Sequence, residues 1–422
     1  MTPLKILMFS ADYPPDLGGI SGHVYRLSRA LASQGASVTV VGGHVLTNVM
    51  PAPSSDVVQP TLREIRIRRI GPRGFRAAWF VGRAKQFLRS LQKDKWDVLH
   101  YHNIFPDGLV LRNFREAKIH IFTNHSDAFL RAHESGRKRR WYHWLTTGAS
   151  GIIAPSEEIA EKSRDFFRGN GATIQYIPNG VDTSLFTLGP RTTSAAARLG
   201  ARPGEDIILL AVRRHDPKCG LDYLIRAMPA VLASEPRALL CVIGDGSEGP
   251  RLKALAGEMG CGERIRFIGR VENEKIPALY RAAYLSVLPS IFEAVSLSGL
   301  EALASGCPVV GTRVGGIPAF VHDGVTGLLV DPKSPPSLAE GICRLLGAPA
   351  LREHMALRGR ALVEQQFSWA SIARRTIAFY QERLEARNGY VAEPVLAPNG
   401  LSTRTAERAE VPNSQRSGNA AY

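Results

Sequence analysis

Cysteine is scarce in this sequence and is not arranged to hold a metal or to form a redox couple. Zinc sites and redox-active dithiols commonly use two cysteines separated by two residues, a spacing that does not occur here. The five cysteines, an odd number, all fall in the second half of the chain: Cys219, Cys241, Cys261, Cys307 and Cys343. We therefore expect buried or incidental thiols in a reducing compartment.

Long apolar runs are missing as well. The longest, such as residues 207–212 and 239–243, have the length of a β-strand, whereas a membrane-spanning helix needs about 18 or more apolar residues. Near the start of the chain only residues 6–9 form an apolar run, which is too short for the core of a signal peptide. We expect no transmembrane helix, no signal peptide and a cytoplasmic protein.

Acidic residues are outnumbered, and the formal net charge is +15. The excess lies in patches, at residues 66–69 with Arg73 and Arg76, and at residues 137–140, and neither patch matches a nucleic-acid-binding module. One interpretation is a solvated basic face. The other is attraction to anionic lipid or to a phosphate-bearing acceptor. Three aromatic residues beside the second patch, Trp141, Tyr142 and Trp144, make peripheral membrane contact the functional hypothesis, with no nucleic-acid partner.

Short β-branched runs alternate with amphipathic helical runs twice over, which is typical of two doubly wound parallel sheets. A length of 422 residues, with 44% hydrophobic and 22% charged residues, suits two globular domains. The predicted strands are residues 5–9, 37–41, 98–101, 120–123, 151–154, 207–212, 239–243, 265–268 and 285–288, with a further strand opening at 308–311. We predict a domain boundary near residues 182–203, a last helix over 369–386 and a disordered tail over 391–422, where large apolar residues are few.

Two carboxylates, Glu293 and Glu301, stand eight positions apart in an otherwise apolar segment. Residues 295–304 are predicted to form a short buried helix, with Glu293 at its start and Glu301 about two turns into it on the same face. Carboxylates are rarely buried unless they are paired. Either Glu293 caps the helix and Glu301 forms a salt bridge, or the two acids bind a ligand.

Several separated segments then occur in a distinctive order. Glu293-x7-Glu301 is followed by GCPVV at 306–310 and VGGIP at 314–318, and it is preceded by IPNGVD at 177–182 and VIGDG at 242–246. Further matches are a hairpin-like stretch, DGVTGLLV, at 323–330 and Gly18-Gly19 after DYPP at 12–15. Together these segments, which span about residues 5–385, resemble the retaining, nucleotide-sugar-dependent glycosyltransferases of family 4.

The resemblance implies the α/β architecture called GT-B, in which two Rossmann-like, doubly wound parallel-sheet domains enclose a cleft. Residues 1–185 would form the acceptor-side domain and residues 186–367 the domain that binds the nucleotide sugar. The last helix, 368–388, would return to the first domain. The implied activity moves a sugar from a UDP-, GDP- or ADP-linked donor to a hydroxyl of a glycan, glycolipid or small metabolite, with retention of configuration and with no cofactor.

The donor's leaving group is a nucleoside diphosphate, and its developing charge needs a metal or fixed cations. No Asp-x-Asp metal motif occurs in the chain, so we predict no metal and assign the charge to the loop after strand 207–212. There Arg214 can fork onto phosphate oxygens and Lys218 can act as a point charge; the alternative is a basic surface loop. Relatives more often carry Lys at the position of Cys219.

The predicted helix start adds backbone N–H donors, those of Val295, Ser296 and Leu297, at the positive end of a helix dipole. Relatives usually carry Gly at the position of Ser296. By resemblance, Glu301 binds the ribose hydroxyls and Glu293 binds hydroxyls of the donor sugar.

The first half of the chain supplies the opposite wall of the predicted cleft. Gly18 and Gly19 have no side chains, so their backbone can approach the diphosphate or the acceptor closely. His125 follows a predicted strand, at the edge where open α/β folds bind ligands, and it resembles the family's active-site histidine. His100, His102 and His133 are interpreted as structural residues.

Other functions stay open from the sequence alone. Residues 244–249 (GDGSEG) fit the G-x-G-x-x-G pattern of a dinucleotide site, yet the acid that should bind the ribose is poorly placed at Glu272, so a tight strand–helix junction explains the glycines better. A non-catalytic nucleotide-sugar sensor would keep Arg214, Lys218 and Glu301 without needing His125. A sugar phosphorylase or epimerase of the same architecture is a nearer alternative.

Overall fold

The computed structural model contains two parallel sheets, one of seven strands and one of six. The structure describes residues 2–14, 19–44, 61–68, 73–125, 136–293 and 296–389. Two Rossmann-like parallel-sheet domains are therefore confirmed. The tail that we predict to be disordered lies outside the described residues.

The seven-stranded sheet has the order β3-β2-β1-β4-β5-β6-β7, and its paired strands are parallel. Its strands are β1 (Lys5–Ser10), β2 (Ser37–His44), β3 (Leu62–Arg68), β4 (Trp96–Tyr101), β5 (Ala117–Thr123), β6 (Gly151–Ala154) and β7 (Thr173–Tyr176). The described helices that accompany it are α1 (Gly19–Ser33), α2 (Arg73–Leu91), α3 (Asp107–Leu111), α4 (Gly136–Leu145) and α5 (Glu157–Phe166). Strands β1 and β4 are almost wholly buried, as parallel strands covered on both faces are.

The two edge strands of this sheet, β3 and β7, are missing from the sequence prediction. The first basic patch overlaps β3, where charged residues alternate with apolar ones, a pattern that protects sheet edges from pairing with other chains. Within β3 the Arg66 guanidinium lies 2.7 Å from Glu64. That part of the patch is therefore an edge strand with a paired cation, and Arg69 lies outside the described residues.

The six-stranded sheet has the order β10-β9-β8-β11-β12-β13 and is also parallel. Its strands are β8 (Ile207–Val212), β9 (Ala238–Ile243), β10 (Ile265–Gly269), β11 (Leu285–Leu288), β12 (Val309–Thr312) and β13 (Gly327–Val330). The α-helices of this half are α6 (Thr193–Arg198), α7 (Leu221–Ser234), α8 (Gly249–Glu258), α9 (Ile276–Ala282), α10 (Leu297–Ala304), α11 (Pro335–Leu346) and α12 (Pro349–Leu362). The hairpin-like interpretation of 323–330 is wrong, because β13 pairs in parallel with β12.

The last helix, α13 (Trp369–Arg387), packs on α1 and β5 of the first sheet. Its Tyr380 hydroxyl lies 2.6 Å from Nδ1 of His100 on β4. A Cβ on Gly151 of β6 would come within 2.6 Å of the Phe379 ring, so this helix needs glycine there to lie so close. The chain thus returns to the first sheet after the second is complete, and the domain boundaries themselves stay a prediction.

None of the helices in the described part of the chain combines the length and apolar composition that crossing a bilayer requires. All five cysteines are free thiols, four of them buried and Cys343 partly so. The expectation of buried, unpaired thiols is therefore confirmed.

Candidate active site

One cleft receives the carboxyl ends of both sheets, as the Rossmann-like topology requires of a ligand site. It contains a cavity of about 550 Å³. Seven of the eight predicted site residues line that cavity: Gly19, His125, Arg214, Lys218, Glu293, Ser296 and Leu297. The eighth, Glu301, lines a smaller neighbouring cavity of about 70 Å³ that shares Gly19 and Leu297 with the first. Gly18 lies outside the described residues.

A buried ion pair stands at the centre of the cavity wall. Nη2 of Arg213, the residue that follows β8, lies 2.5 Å from Oε2 of Glu293, and both side chains are largely buried. The same guanidinium donates to the hydroxyls of Ser290, Ser296 and Ser298. The ion pair raises the pKa of Arg213 against the opposing effect of its burial, so the arginine stays charged and Glu293 has a fixed cation beside it.

Arg213 was not among the predicted site residues, because its neighbour Arg214 is the arginine assigned to the diphosphate from the family resemblance. A signal was present, since Arg213 directly follows a buried strand, where its side chain enters the cleft. Arg214 is the exposed member of the two and also lines the cavity.

The loop after Arg214 is shaped by capping and by glycine. The Asp216 carboxylate accepts from the Lys218 N–H at 3.1 Å. Gly220 has φ 67°, and a Cβ there would come within 1.9 Å of the Pro289 carbonyl, so only glycine fits. Lys218 is partly buried on the cavity wall, and Cys219 beside it is buried.

Helix α10 begins two residues later than predicted, at Leu297, because Ser296 caps it. The Ser296 hydroxyl accepts from the Gly299 N–H at 3.4 Å. Leu297 opens the helix, so its N–H has no carbonyl one turn earlier within the helix to bond. Val295, a predicted N–H donor, lies outside the described residues. Of the two interpretations of the glutamates, the one in which Glu293 caps the helix is therefore wrong, since Ser296 has that role and Glu293 pairs with Arg213.

Glu301 is enclosed by the cleft, and burial raises its pKa to about 7. The positive charge of Arg26, on α1 of the first domain, opposes that rise without overcoming it. No salt bridge to Glu301 occurs among the residues that the structure describes. A half-ionised acid in a small cavity beside the larger one is suited to accept hydrogen bonds from a hydroxylated ligand.

Donor binding should strengthen as the pH rises from about 6 to 8. The raised pKa leaves Glu301 mostly protonated at the lower pH and mostly ionised at the higher one, and the ionised form accepts hydroxyl protons better. Isothermal titration with a nucleotide sugar, whose diphosphate does not titrate in this range, should show affinity increasing about tenfold with the ionised fraction. Glu301→Gln should bind more weakly and without this pH slope. An unchanged slope in the variant would assign the titration to another group.

His125 stands on the opposite wall within a cluster of imidazoles. Its Nε2 lies 3.2 Å from Nδ1 of His102, and its ring meets the His23 ring edge to face, with centroids 4.6 Å apart. Burial lowers the pKa of His23 to about 4, and it also lowers the pKa values of His102 and His125 well below their ordinary value. All three imidazoles are therefore neutral at pH 7.

His102 is buried and its ring contacts His125, and its structural interpretation stays a prediction. His100 fits that interpretation, since Thr123 and Tyr380 bond its two nitrogens, and His133 lies outside the described residues. His23 was missed; it lies one helical turn after Gly19 on α1, a spacing that could have placed it in the cleft.

The glycines of residues 244–249 have a structural cause. A Cβ on Gly244 would come within 2.0 Å of the Arg213 carbonyl, and one on Gly246 within 2.3 Å of the His215 carbonyl. Both residues also have positive φ. They let the turn after β9 lie against the loop that carries Arg213 and Arg214, as expected of a tight junction near the ligand.

Comparison with known proteins agrees with this architecture. Residues 17–185 match the family described as Glycosyltransferase Family 4, and residues 197–362 match Glycosyl transferases group 1. The chain is 35% identical to a D-inositol 3-phosphate glycosyltransferase of Nocardia farcinica, over 90% of each chain. The chain belongs to the family 4 glycosyltransferases.

Other relatives of this glycosyltransferase differ in what their names say they make. A glycogen synthase of Mycobacterium tuberculosis is 29% identical, over 92% of this chain and 96% of its own. Among solved structures, sucrose-phosphate synthase from Thermosynechococcus elongatus is similar with a TM-score of 0.72 and 25% identity, over 90% of this chain and all of the other. The fold and the class of enzyme are thus shared.

Proposed function

We propose that this enzyme transfers a sugar from a nucleotide-diphosphate sugar to a hydroxyl acceptor, with retention of configuration and with no metal at the diphosphate. One observation carries the proposal. The cations of the loop after β8, the start of α10 and the two glutamates line two neighbouring cavities of one cleft, opposite His125. These are the groups that a diphosphate, a ribose and a sugar need.

The diphosphate would lie between the β8 loop and the start of α10. Arg214 and Lys218 would bind its oxygens, and the N–H groups that open α10 would add the positive end of the helix dipole. Among the described residues that line the larger cavity, Glu293 is the only one with a carboxylate, and this carboxylate is already paired with Arg213. Fixed cations therefore carry the leaving group's charge.

The two glutamates would hold the two ends of the donor. Glu301 would accept hydrogen bonds from both ribose hydroxyls in the smaller cavity. Arg213 bonds one oxygen of Glu293, Oε2, so the other oxygen can accept a hydroxyl of the donor sugar. In this arrangement Glu293 orients the sugar. The departing phosphate oxygen takes the acceptor's proton as the new bond forms on the same face, and His125 lines the acceptor side.

Retention can be measured directly. We expect the product to keep the anomeric configuration of the donor, because the acceptor approaches from the side on which the diphosphate leaves. A thermal-shift screen with UDP, GDP and ADP and their sugars would first identify the donor, since a specific ligand stabilises by mass action. Proton NMR of the new glycosidic linkage then gives its configuration, and an inverted product would reject the proposed geometry.

We also propose that α4 brings the enzyme to anionic membranes. The helix carries three exposed cations, Arg137, Lys138 and Arg140. The exposed rings of Trp141 and Trp144 follow on it, at 43% and 40% exposure. Phe105, 45% exposed, contacts Trp141. Apolar rings among cations suit the interface of an anionic bilayer.

Reversing these three charges to Glu should abolish vesicle binding. Each cation near an anionic surface contributes about 1 kcal/mol, so losing three of them should weaken binding to phosphatidylglycerol vesicles at least about 100-fold. The matched control reverses three exposed cations of the second domain, Arg226, Lys253 and Arg358, and should bind as the wild type does. Cosedimentation with the vesicles measures the binding. An equal loss of binding in both triple variants would mean that the net charge of the protein alone, rather than α4, attracts it to the vesicles.

A further inference from the structure

Three histidines from different elements converge where the first sheet meets the cleft. His23 comes from α1, His102 follows β4 and His125 follows β5. One ring nitrogen from each lies within 4.8 Å of the other two. The residues of the second domain that would bind the sugar donor do not explain why these histidines converge. Of the three histidines, only His125 lines the larger cavity.

Part of the cluster already has the spacing of metal ligands. Zinc binds imidazole nitrogen at about 2.0–2.1 Å in a tetrahedron, so two ligating nitrogens stand about 3.3 Å apart. Nδ1 of His102 and Nε2 of His125 are 3.2 Å apart and are joined by a hydrogen bond, which a bound metal would have to replace. His23 has to approach by about 1–1.5 Å, a shift that small side-chain rotations supply.

The cluster also has unused bonding capacity. Nε2 of His102 is buried with no hydrogen-bond partner among the described residues, and the ring nitrogens of His23 make no hydrogen bond of ordinary geometry, although the Asn179 side chain interacts with His23. Buried polar atoms without a partner are rare in folded proteins and call for an explanation such as a bound ion.

The neighbouring histidine, His100, is excluded as a ligand. Its two nitrogens bond Thr123 and Tyr380 at 2.6 Å each. Its ring lies against the His102 ring, with centroids 4.2 Å apart, and so helps to fix the orientation of His102.

We propose that His23, His102 and His125 form a binding site for a divalent transition metal, which in the cell would be zinc. One coordination position of the metal would be open to the cleft. Three imidazoles without thiolate or carboxylate suit zinc, copper, nickel or cobalt rather than magnesium or calcium. This departs from the prediction that the site holds no metal. On the proposed function, a metal held by His125 would occupy the acceptor side of the cleft, so zinc would inhibit transfer.

Cobalt(II) titration of the tag-free full chain tests the site without any donor. We expect one equivalent to give the intense visible absorption of tetrahedral cobalt, and zinc to displace it. His23→Gln and His102→Gln should each weaken binding about 100-fold or more, beyond the ~10–100-fold that loss of an outer-shell partner costs. His354→Gln, at an exposed position on α12, is the matched control and should bind as the wild type does.

Three results would overturn the metal site. They are the absence of tetrahedral absorption in the wild type, undiminished binding by both cluster variants with a native circular dichroism spectrum, and a sulfur-to-cobalt charge-transfer band that assigns the metal to cysteine. The donor thermal-shift screen, run in a chelator, is independent of this site. Donor binding there with no cobalt binding in the wild type would reject the metal site and leave the proposed function standing.

Discussion

Arg213→Met should destabilise the second domain by about 3–5 kcal/mol, because it leaves the Glu293 carboxylate largely buried without its cation. The guanidinium also donates to three serine hydroxyls, of which Ser296 caps α10. Its loss therefore loosens the start of the helix at which the diphosphate would bind. Calorimetric unfolding measures the effect, and transfer activity should fall with it.

A double-mutant cycle distinguishes this ion pair from simple loss of packing. Replacing both partners, with Arg213→Met and Glu293→Gln, removes the unpaired charge and should recover most of the lost stability. The recovered double variant should still be inactive, since Glu293 is assigned to the donor sugar. Arg213→Lys keeps the positive charge but loses the several N–H donors of the guanidinium. Its stability should therefore lie between those of the wild type and the Arg213→Met variant. If the two single losses simply add in the double variant, the pair does not stabilise the site.

Glu301→Ala should weaken donor binding by about 1.5–3 kcal/mol, the contribution of a hydrogen bond to a charged group. That change corresponds to about 10- to 150-fold in the dissociation constant. Isothermal titration with the nucleoside diphosphate measures it, because the ribose is present in that fragment.

Glu293→Gln supplies the contrast. It should leave binding of the nucleoside diphosphate nearly unchanged and weaken binding of the full nucleotide sugar, because Glu293 is assigned to the sugar. Wild-type affinity of Glu301→Ala for the nucleoside diphosphate would refute the ribose assignment.

Much of the fold could be predicted because the buried parallel strands are continuous apolar runs. Residues 207–212, 151–154 and 285–288 are predicted with the bounds that β8, β6 and β11 have. The edge strands of the first sheet, β3 and β7, escaped prediction because they are short or charged, as β3 is with its arginines. Sequence periodicity detects burial, and an edge strand is only half buried.

The candidate site was predictable where motif and strand end coincide. Lys218, Glu293 and Glu301 all lie on the cleft walls as expected. The partners of those residues were not predictable, because pairing depends on which loops meet in space. Arg213 reaches Glu293 across 80 positions of the chain, and no local pattern encodes that contact. The histidine cluster likewise assembles from three elements.

A crystal structure with an intact nucleotide sugar would show which groups hold the diphosphate. We expect the diphosphate within hydrogen-bond distance of Arg214, Lys218 and the first N–H groups of α10. We also expect that the ribose hydroxyls bind Glu301 and that no ion lies on the phosphates. A diphosphate bound elsewhere, or held through a divalent cation, would contradict this expectation.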